Sequence, residues 1–181
     1  MTVTKCRKTH ILLLFLLLLF GASYAGAVDY EWVPDGDGTN WSDPDNWDAD
    51  ADGNGTGDGT GYPGAGVATD GDNANDDLAA VNNDATITMN IGGGVTIGEL
   101  STNASTISIV LAGSLTTDGT GSQNGNLSLG GASVALTTAG NSLTVGGTYA
   151  SSGTLRLEGN ETVTGLGTPV AGLVEYYGNG G

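Results

Sequence analysis

Beyond residue 85 the chain is built from short apolar-polar-apolar runs that lead into Gly. Asn126-Leu127-Ser128-Leu129-Gly130, Ser142-Leu143-Thr144-Val145-Gly146 and Thr154-Leu155-Arg156-Leu157-Glu158-Gly159 are the clearest copies. A degenerate copy, Ser114-Leu115-Thr116-Thr117-Asp118-Gly119, keeps only the first apolar position. Alternation with a period of two places successive side chains on opposite faces of an extended strand, so each run predicts a strand with one buried face. The Gly clusters between them, Gly92-Gly93-Gly94, Gly130-Gly131 and Gly146-Gly147, read as corners.

The apolar positions fall on a ladder of about 28 residues with three strands in each step. One column runs Ile87, Leu115, Leu143 and Leu173; a second runs Ile97 or Leu100, Leu127 and Leu155; a third runs Ile107, Val134 and Val163. A unit this small cannot bury its own apolar face, and repetition at such a period is the mark of a solenoid. The expectation is an all-β chain folded as a right-handed parallel β-helix of about three turns, each strand pairing with its counterpart one turn away at roughly 4.8 Å. A β-sandwich uses similar strands and turns and is the alternative; strand pairing separates the two.

Composition divides the chain. Fourteen of the 15 Asp and all three Trp lie between Asp29 and Asp84, whereas the remainder is Gly, Thr, Ser and Asn punctuated by Leu, Ile and Val. Residues 28–84 thus form an acidic, Trp-containing cap segment and residues 85–181 the repeats. Ahead of both, Lys5, Arg7 and Lys8 precede the apolar run Ile11 to Phe20 and the small residues Ala25-Gly26-Ala27. The run is too short to span a bilayer and has the flanks of a secretory signal peptide, residues 1–27. The mature chain then begins at Val28 with no membrane span.

From Val28 onward the 20 carboxylates face one base, Arg156, for a net charge of −19, and there is no Lys, His or Cys. That removes Ser-His-Asp and Cys-His catalysis, His or thiolate zinc sites, disulfides, the P-loop lysine and Schiff bases. Phosphate backbones and anionic membrane surfaces would repel such a chain, so nucleic acid is not an expected partner. The excess of Asp fits a saline or calcium-rich setting, where self-repulsion is screened.

The run Asp48-Ala49-Asp50-Ala51-Asp52-Gly53 sets carboxylates at positions 1, 3 and 5 and Gly at 6, the spacing that lets alternate oxygens converge on calcium. Position 12 is Gly59, with Asp58 as the nearest carboxylate. Asp48, Asp50, Asp52 and Asp58 are the candidate metal ligands, with calcium as the candidate ion and weak cation association or a solvated acidic loop as the alternatives. Asp35 and Asp37, or Asp70, Asp72, Asp76 and Asp77, are further oxygen donors. Glycoside hydrolysis needs only two carboxylates, and the candidates on strands or their edges are Glu99, Glu158, Glu161 and Glu175. A lyase would need a base, for which Arg156 is the sole candidate, and its place between Leu155 and Leu157 points it to solvent.

Trp32, Trp41, Asn46-Trp47 and Pro63-Gly64 follow one another in an order that resembles the opening of large bacterial surface proteins of the autotransporter-like, adhesin-type β-helix class. In that comparison residues 48–61 look like an insertion, and Leu173-Val174-Glu175-Tyr176-Tyr177-Gly178 resembles a strand that further repeats would follow. The resemblance implies an exported, cell-surface scaffold or adhesive module without catalytic activity, whose partners are surface glycans or further repeats of the same fold. The alternative is a polysaccharide-binding or polysaccharide-degrading β-helix. The three Trp are either a sugar-stacking platform or an aromatic lid on the first turn, since solenoid ends need covering. At Gly181 the sequence reads as cut from a longer repeat array, and its last strand is expected to leave an open apolar edge prone to self-association.

Overall fold

The computed structural model describes residues 29–49, 61–65, 77–119, 123–167 and 172–178. It contains fifteen strands and one short 3-10 turn, with no α-helix among the described residues. In chain order, β1 is Asp29–Trp32, β2 Trp47–Ala49, β3 Leu78–Val81, β4 Ala85–Met89, β5 Val95–Ile97, β6 Glu99–Asn103, β7 Thr106–Leu111 and β8 Leu115–Thr117. There follow β9 Leu127–Gly130, β10 Ser133–Thr137, β11 Leu143–Val145, β12 Tyr149–Ser151, β13 Thr154–Leu157, β14 Val163–Thr164 and β15 Leu173–Tyr176. The 3-10 turn Pro44–Asn46 opens with Asp43 as N-cap, its carboxylate accepting the Asp45 N–H, and with Pro in the first helical position. Both choices satisfy or remove donors that a helix start leaves orphaned.

From β3 to β14 the strands fall to three sheets in strict rotation. Sheet A has the order β12-β9-β6-β3-β1-β2, sheet B β15-β13-β10-β7-β4 and sheet C β14-β11-β8-β5. Every neighbouring pair is parallel except β1 with β2. The chain is all-β with parallel sheets, and the parallel pairing is already running at β1 and β3, within the acidic segment.

The ladder of about 28 residues needs correction. Leu115 does pair with Leu143, Leu100 with Leu127 and Ile107 with Val134. That circuit is the long one. Ile87 pairs with Ile109 and not with Leu115; Leu127 pairs with Tyr149, Leu155 with Leu136, and Val163 with Leu143. Partners such as Ala79 and Leu100, Val95 and Leu115, or Leu155 and Val174 stand 19 to 22 residues apart. The ordinary circuit is therefore nearer 20 residues, and three-strand circuits are completed four times before β15 instead of about three. The extra length has one source. Between sheets C and A the connection is Gly98 alone after β5 and residues 146–148 after β11, but residues 118–126 after β8. Variable length therefore belongs to this corner, whereas Gly92-Gly93-Gly94 lies at the corner between sheets B and C.

The core is the set of inward-facing positions. Ile87, Ile109, Leu136 and Leu155 form one fully buried row in sheet B, and Leu100 and Leu127 lie in another in sheet A. The rows also include Thr102, Thr117 and Ser151, and Thr138 follows β10 directly, all four buried. Each is bonded: the Thr117 hydroxyl donates to the Gly125 carbonyl at 2.6 Å, and Thr102 Oγ1 accepts the Gly130 N–H at 3.0 Å. Thr138 donates to Glu161, and Ser151 Oγ accepts from the Gly153 N–H. A buried hydroxyl is tolerated in an apolar stack only with such partners. The corners are close-packed. Gly94 has φ +87°, and a Cβ there would stand 2.8 Å from the Ser114 carbonyl oxygen on the next circuit. Asn141 ties this region together, its side-chain amide donating to the Leu111 carbonyl at 2.9 Å and to that of Thr138 at 3.2 Å.

Candidate functional site

The described residues of the acidic segment hold an aromatic cluster. Trp32 and Trp47 face each other across the antiparallel β1–β2 pair, with ring centroids 5.1 Å apart and planes at 85°. Trp41 adds a second edge-on contact to Trp47 at 4.6 Å, and Tyr30 a third at 6.3 Å. Edge-to-face packing of this kind adds to simple area burial. The Trp41 indole N–H donates to the Pro63 carbonyl at 2.9 Å and that of Trp47 to the Trp41 carbonyl at 2.7 Å. All three Trp are 0–1 % exposed, so no indole face is free to stack on a sugar.

The loop leading into Trp41 is held by three side chains. Asp37 accepts the backbone N–H groups of Asn40 at 2.8 Å and Thr39 at 2.9 Å, and the side-chain amides of Asn40 and Asn46. The backbone donors of Asn40 and Thr39, then the two amides, hold its carboxyl far below the usual carboxylate range. Asp43 accepts the Asp37 N–H at 2.9 Å, and Asn46 Oδ1 accepts from Gly36 and Gly38. These groups fold the loop on itself, and Asp37 in particular already has five donors, the Thr39 hydroxyl at 3.3 Å included.

Of the four candidate calcium ligands, Asp48 lies on β2 opposite Glu31 with its side chain buried. Asp50, Asp52 and Asp58 lie outside the described residues, as do Asp70, Asp72 and Asp76 and the leader 1–27. Asp77 is buried and accepts the Gly64 N–H at 2.7 Å. Among the described residues no three Asp, Glu, His or Cys side chains are grouped so as to hold a metal ion.

Each of the carboxylates considered for catalysis has a partner. Glu99 accepts from the Asn126 amide at 3.1 Å and Glu158 from the Tyr177 hydroxyl at 3.3 Å. Glu161 closes the corner after β13, taking the Thr138 hydroxyl at 2.6 Å and the N–H groups of Glu158 at 2.8 Å and Gly159 at 2.6 Å. Burial alone would raise its pKa, but these donors outweigh it and hold the carboxyl at about 2. A carboxyl so acidic is unsuited to act as a general acid near neutral pH. Glu175 is in an ion pair with Arg156 at 2.9 Å between β15 and β13, both side chains about half exposed. Arg156 does point outward, as the alternation with Leu155 and Leu157 predicts.

Glu161 also borders a depression of about 630 Å³ at the far end of the sheets, lined mainly by Leu157, Val163, Leu166, Val174 and Tyr176. Sequence reasoning foresaw an exposed strand here; it did not foresee that Val174 and Tyr176 are inward positions, in register with Leu155 and Leu157. The buried hydroxyls were missed as well. The signal for them was Thr at an inward phase, as in Leu115-Thr116-Thr117.

No family model, characterised protein or solved structure matches this chain. No helix among the described residues is long and apolar enough to cross a membrane.

Proposed function

We propose that the chain is an exported structural module, a right-handed parallel β-helix with an aromatic lid at its N-terminal end, serving as a scaffold or adhesive unit at a bacterial surface. The reading is supported above all by how the polar side chains of the described residues are used. Asp37, Asp43, Asn46, Glu161 and Asn141 bind backbone groups, and the Trp rings are spent on the lid. Rotation of successive strands through three parallel sheets fits a coil of about 20 residues per turn, with corner loops free to vary. The leader composition and the order of Trp32, Trp41, Asn46-Trp47 and Pro63-Gly64 support export and surface display. Calcium is proposed as a stabilising ion through Asp48, Asp50, Asp52 and Asp58, on their spacing alone.

The test is a panel of polysaccharides and a glycan array, each run with and without chelator. Under the proposal no reducing ends or unsaturated sugars are released, and any glycan retention survives without turnover. Release of either product that depends on Glu158 or Glu161 would replace this reading with a polysaccharide-degrading one.

A further inference from the structure

We propose that the outer face of sheet C binds ice, through a two-dimensional array of hydroxyl side chains that the strands hold in register. The inference rests on the adhesive β-helix reading above and names what the module adheres to. Thr96, Thr116, Thr144 and Thr164 occupy outward positions on β5, β8, β11 and β14, and each is paired with the next. The Thr164 hydroxyl donates to Thr144 Oγ1 at 3.2 Å, so these neighbouring side chains lie side by side. Two residues earlier, Ser114, Ser142 and Thr162 continue the outward phase, their carbonyls accepting the N–H groups of Val95, Leu115 and Leu143 on the preceding strand. All of these hydroxyl residues are half-exposed or exposed.

Thr is a good strand former, and Thr–Thr pairs across strands stabilise a sheet, so one such pair needs no ligand to explain it. Thr at every rung of one sheet does. The inward neighbours vary, with Val95, Leu115, Leu143 and Val163 in one row and Ile97, Thr117 and Val145 in the next. The corner after β8 lengthens the circuit, yet the outward residue is kept. On the other two sheets it is not. The outward column of sheet A reads Ala80, Ser101, Ser128 and Ala150, and one of sheet B reads Thr88, Val110, Thr137 and Arg156.

Spacing and charge select the occupant. The rungs stand roughly 4.8 Å apart, and alternate residues along a strand roughly 6.6 Å. The result is a rectangular net of hydroxyl and methyl groups with dimensions comparable to the net of water oxygens on a prism face of ice. Waters held by the hydroxyls and ordered over the methyls can then merge with the crystal. A carboxylate would hold water in orientations foreign to that lattice, and in a chain of net charge −19 after residue 28 no position of the array is ionisable. The nearest carboxylates in sequence stand at its margins. Asp118 follows β8, and Glu161, which precedes Thr162, is bound to Thr138 and to the N–H groups of Glu158 and Gly159. A sugar surface would call for aromatic faces or side-chain amides, and the array has neither. Further repeats would lengthen the array, so it depends on neither end of the chain.

Slow growth of ice from a solution of the purified chain tests this, with the protein in the ice fraction read by its tryptophan absorbance and circular dichroism as the control for folding. Expected are faceted crystals and enrichment of the chain in the ice. Thr144→Tyr lifts the centre of the array off the lattice and should abolish the enrichment, whereas Ala135→Tyr, outward on sheet B, should leave it unchanged. Should Thr144→Tyr lose its β spectrum, Thr164→Tyr at the last rung takes its place. Exclusion of the parent chain from ice with an intact β spectrum, or enrichment indifferent to Tyr within the array, would overturn the proposal. Retention on crystalline chitin or cellulose that Thr144→Tyr abolishes, without enrichment in ice, would also overturn it while leaving the adhesive reading standing. A parent chain without β spectrum would instead overturn the β-helix reading beneath it.

Discussion

Thr117 shows how a residue that looks like a lapse in the pattern can be a fixture. By periodicity it occupies an apolar position, and it is buried there with its hydroxyl donating to the Gly125 carbonyl, which also accepts the Gly147 N–H. Polar phase errors of this kind were readable only as degeneracy, since the partner lies across a loop that periodicity does not place. Glu161 is a comparable case, noted in the sequence as a candidate acid and found instead binding two backbone N–H groups and Thr138. Its carboxyl titrates at about 2 in the folded chain against an ordinary 4.5, so the fold favours the carboxylate. Its stabilising contribution is complete above about 4.5 and drains away as the pH falls toward 2. Glu161→Gln should melt below the parent chain at pH 7, and thermal melts at successive pH values should show that gap narrowing over this window. A gap that stays constant with pH would contradict the assignment.

At the level of strands and corners, the sequence disclosed which runs are strands, but which rows they join only across the long circuit, as for Leu100 and Leu127 or Ile107 and Val134. Leu, Ile and Val are interchangeable in an inward row, so chemistry does not distinguish Ile87 above Ile109 from Ile87 above Leu115. The long corner at residues 118–126 moreover turned a circuit near 20 into the 28 from Leu115 to Leu143. The calcium spacing was equally local, and of its four carboxylates only Asp48 is described, inside β2. Corners should respond to change according to their packing. Gly94→Ala forces a side chain into a positive-φ site 2.8 Å from a backbone oxygen and should cost about 1–3 kcal/mol by chemical denaturation. Six Gly/Ser residues inserted between Thr120 and Gly121 lengthen a corner that is already long. Because loop entropy grows slowly with length, that insertion should cost under about 1 kcal/mol in the same measurement.

Over the whole molecule the acidic surplus is uneven and the apolar stack is continuous. A net charge of −19 after residue 28 opposes compaction, and salt shortens the range of that repulsion. The melting temperature should therefore rise between 10 mM and 1 M sodium chloride, with the gain concentrated where carboxylates crowd, in residues 29–84. If hydrogen exchange shows instead that salt protects only β9 to β15, charge is not the cause. The proposed export leader, surface location and glycan partners rest on composition and motif order alone, because none of them is a property of strand pairing.

On the proposed β-helix, the aromatic lid at one end gives the fold a direction of growth. Repeating a block of about 20 residues after β14 would add one more layer, roughly 4.8 Å of height, without disturbing Trp32, Trp41 or Trp47. The same duplication placed before β3 would have to rebuild the aromatic seal. On that reading, tandem duplication is tolerated away from the lid and barred beside it.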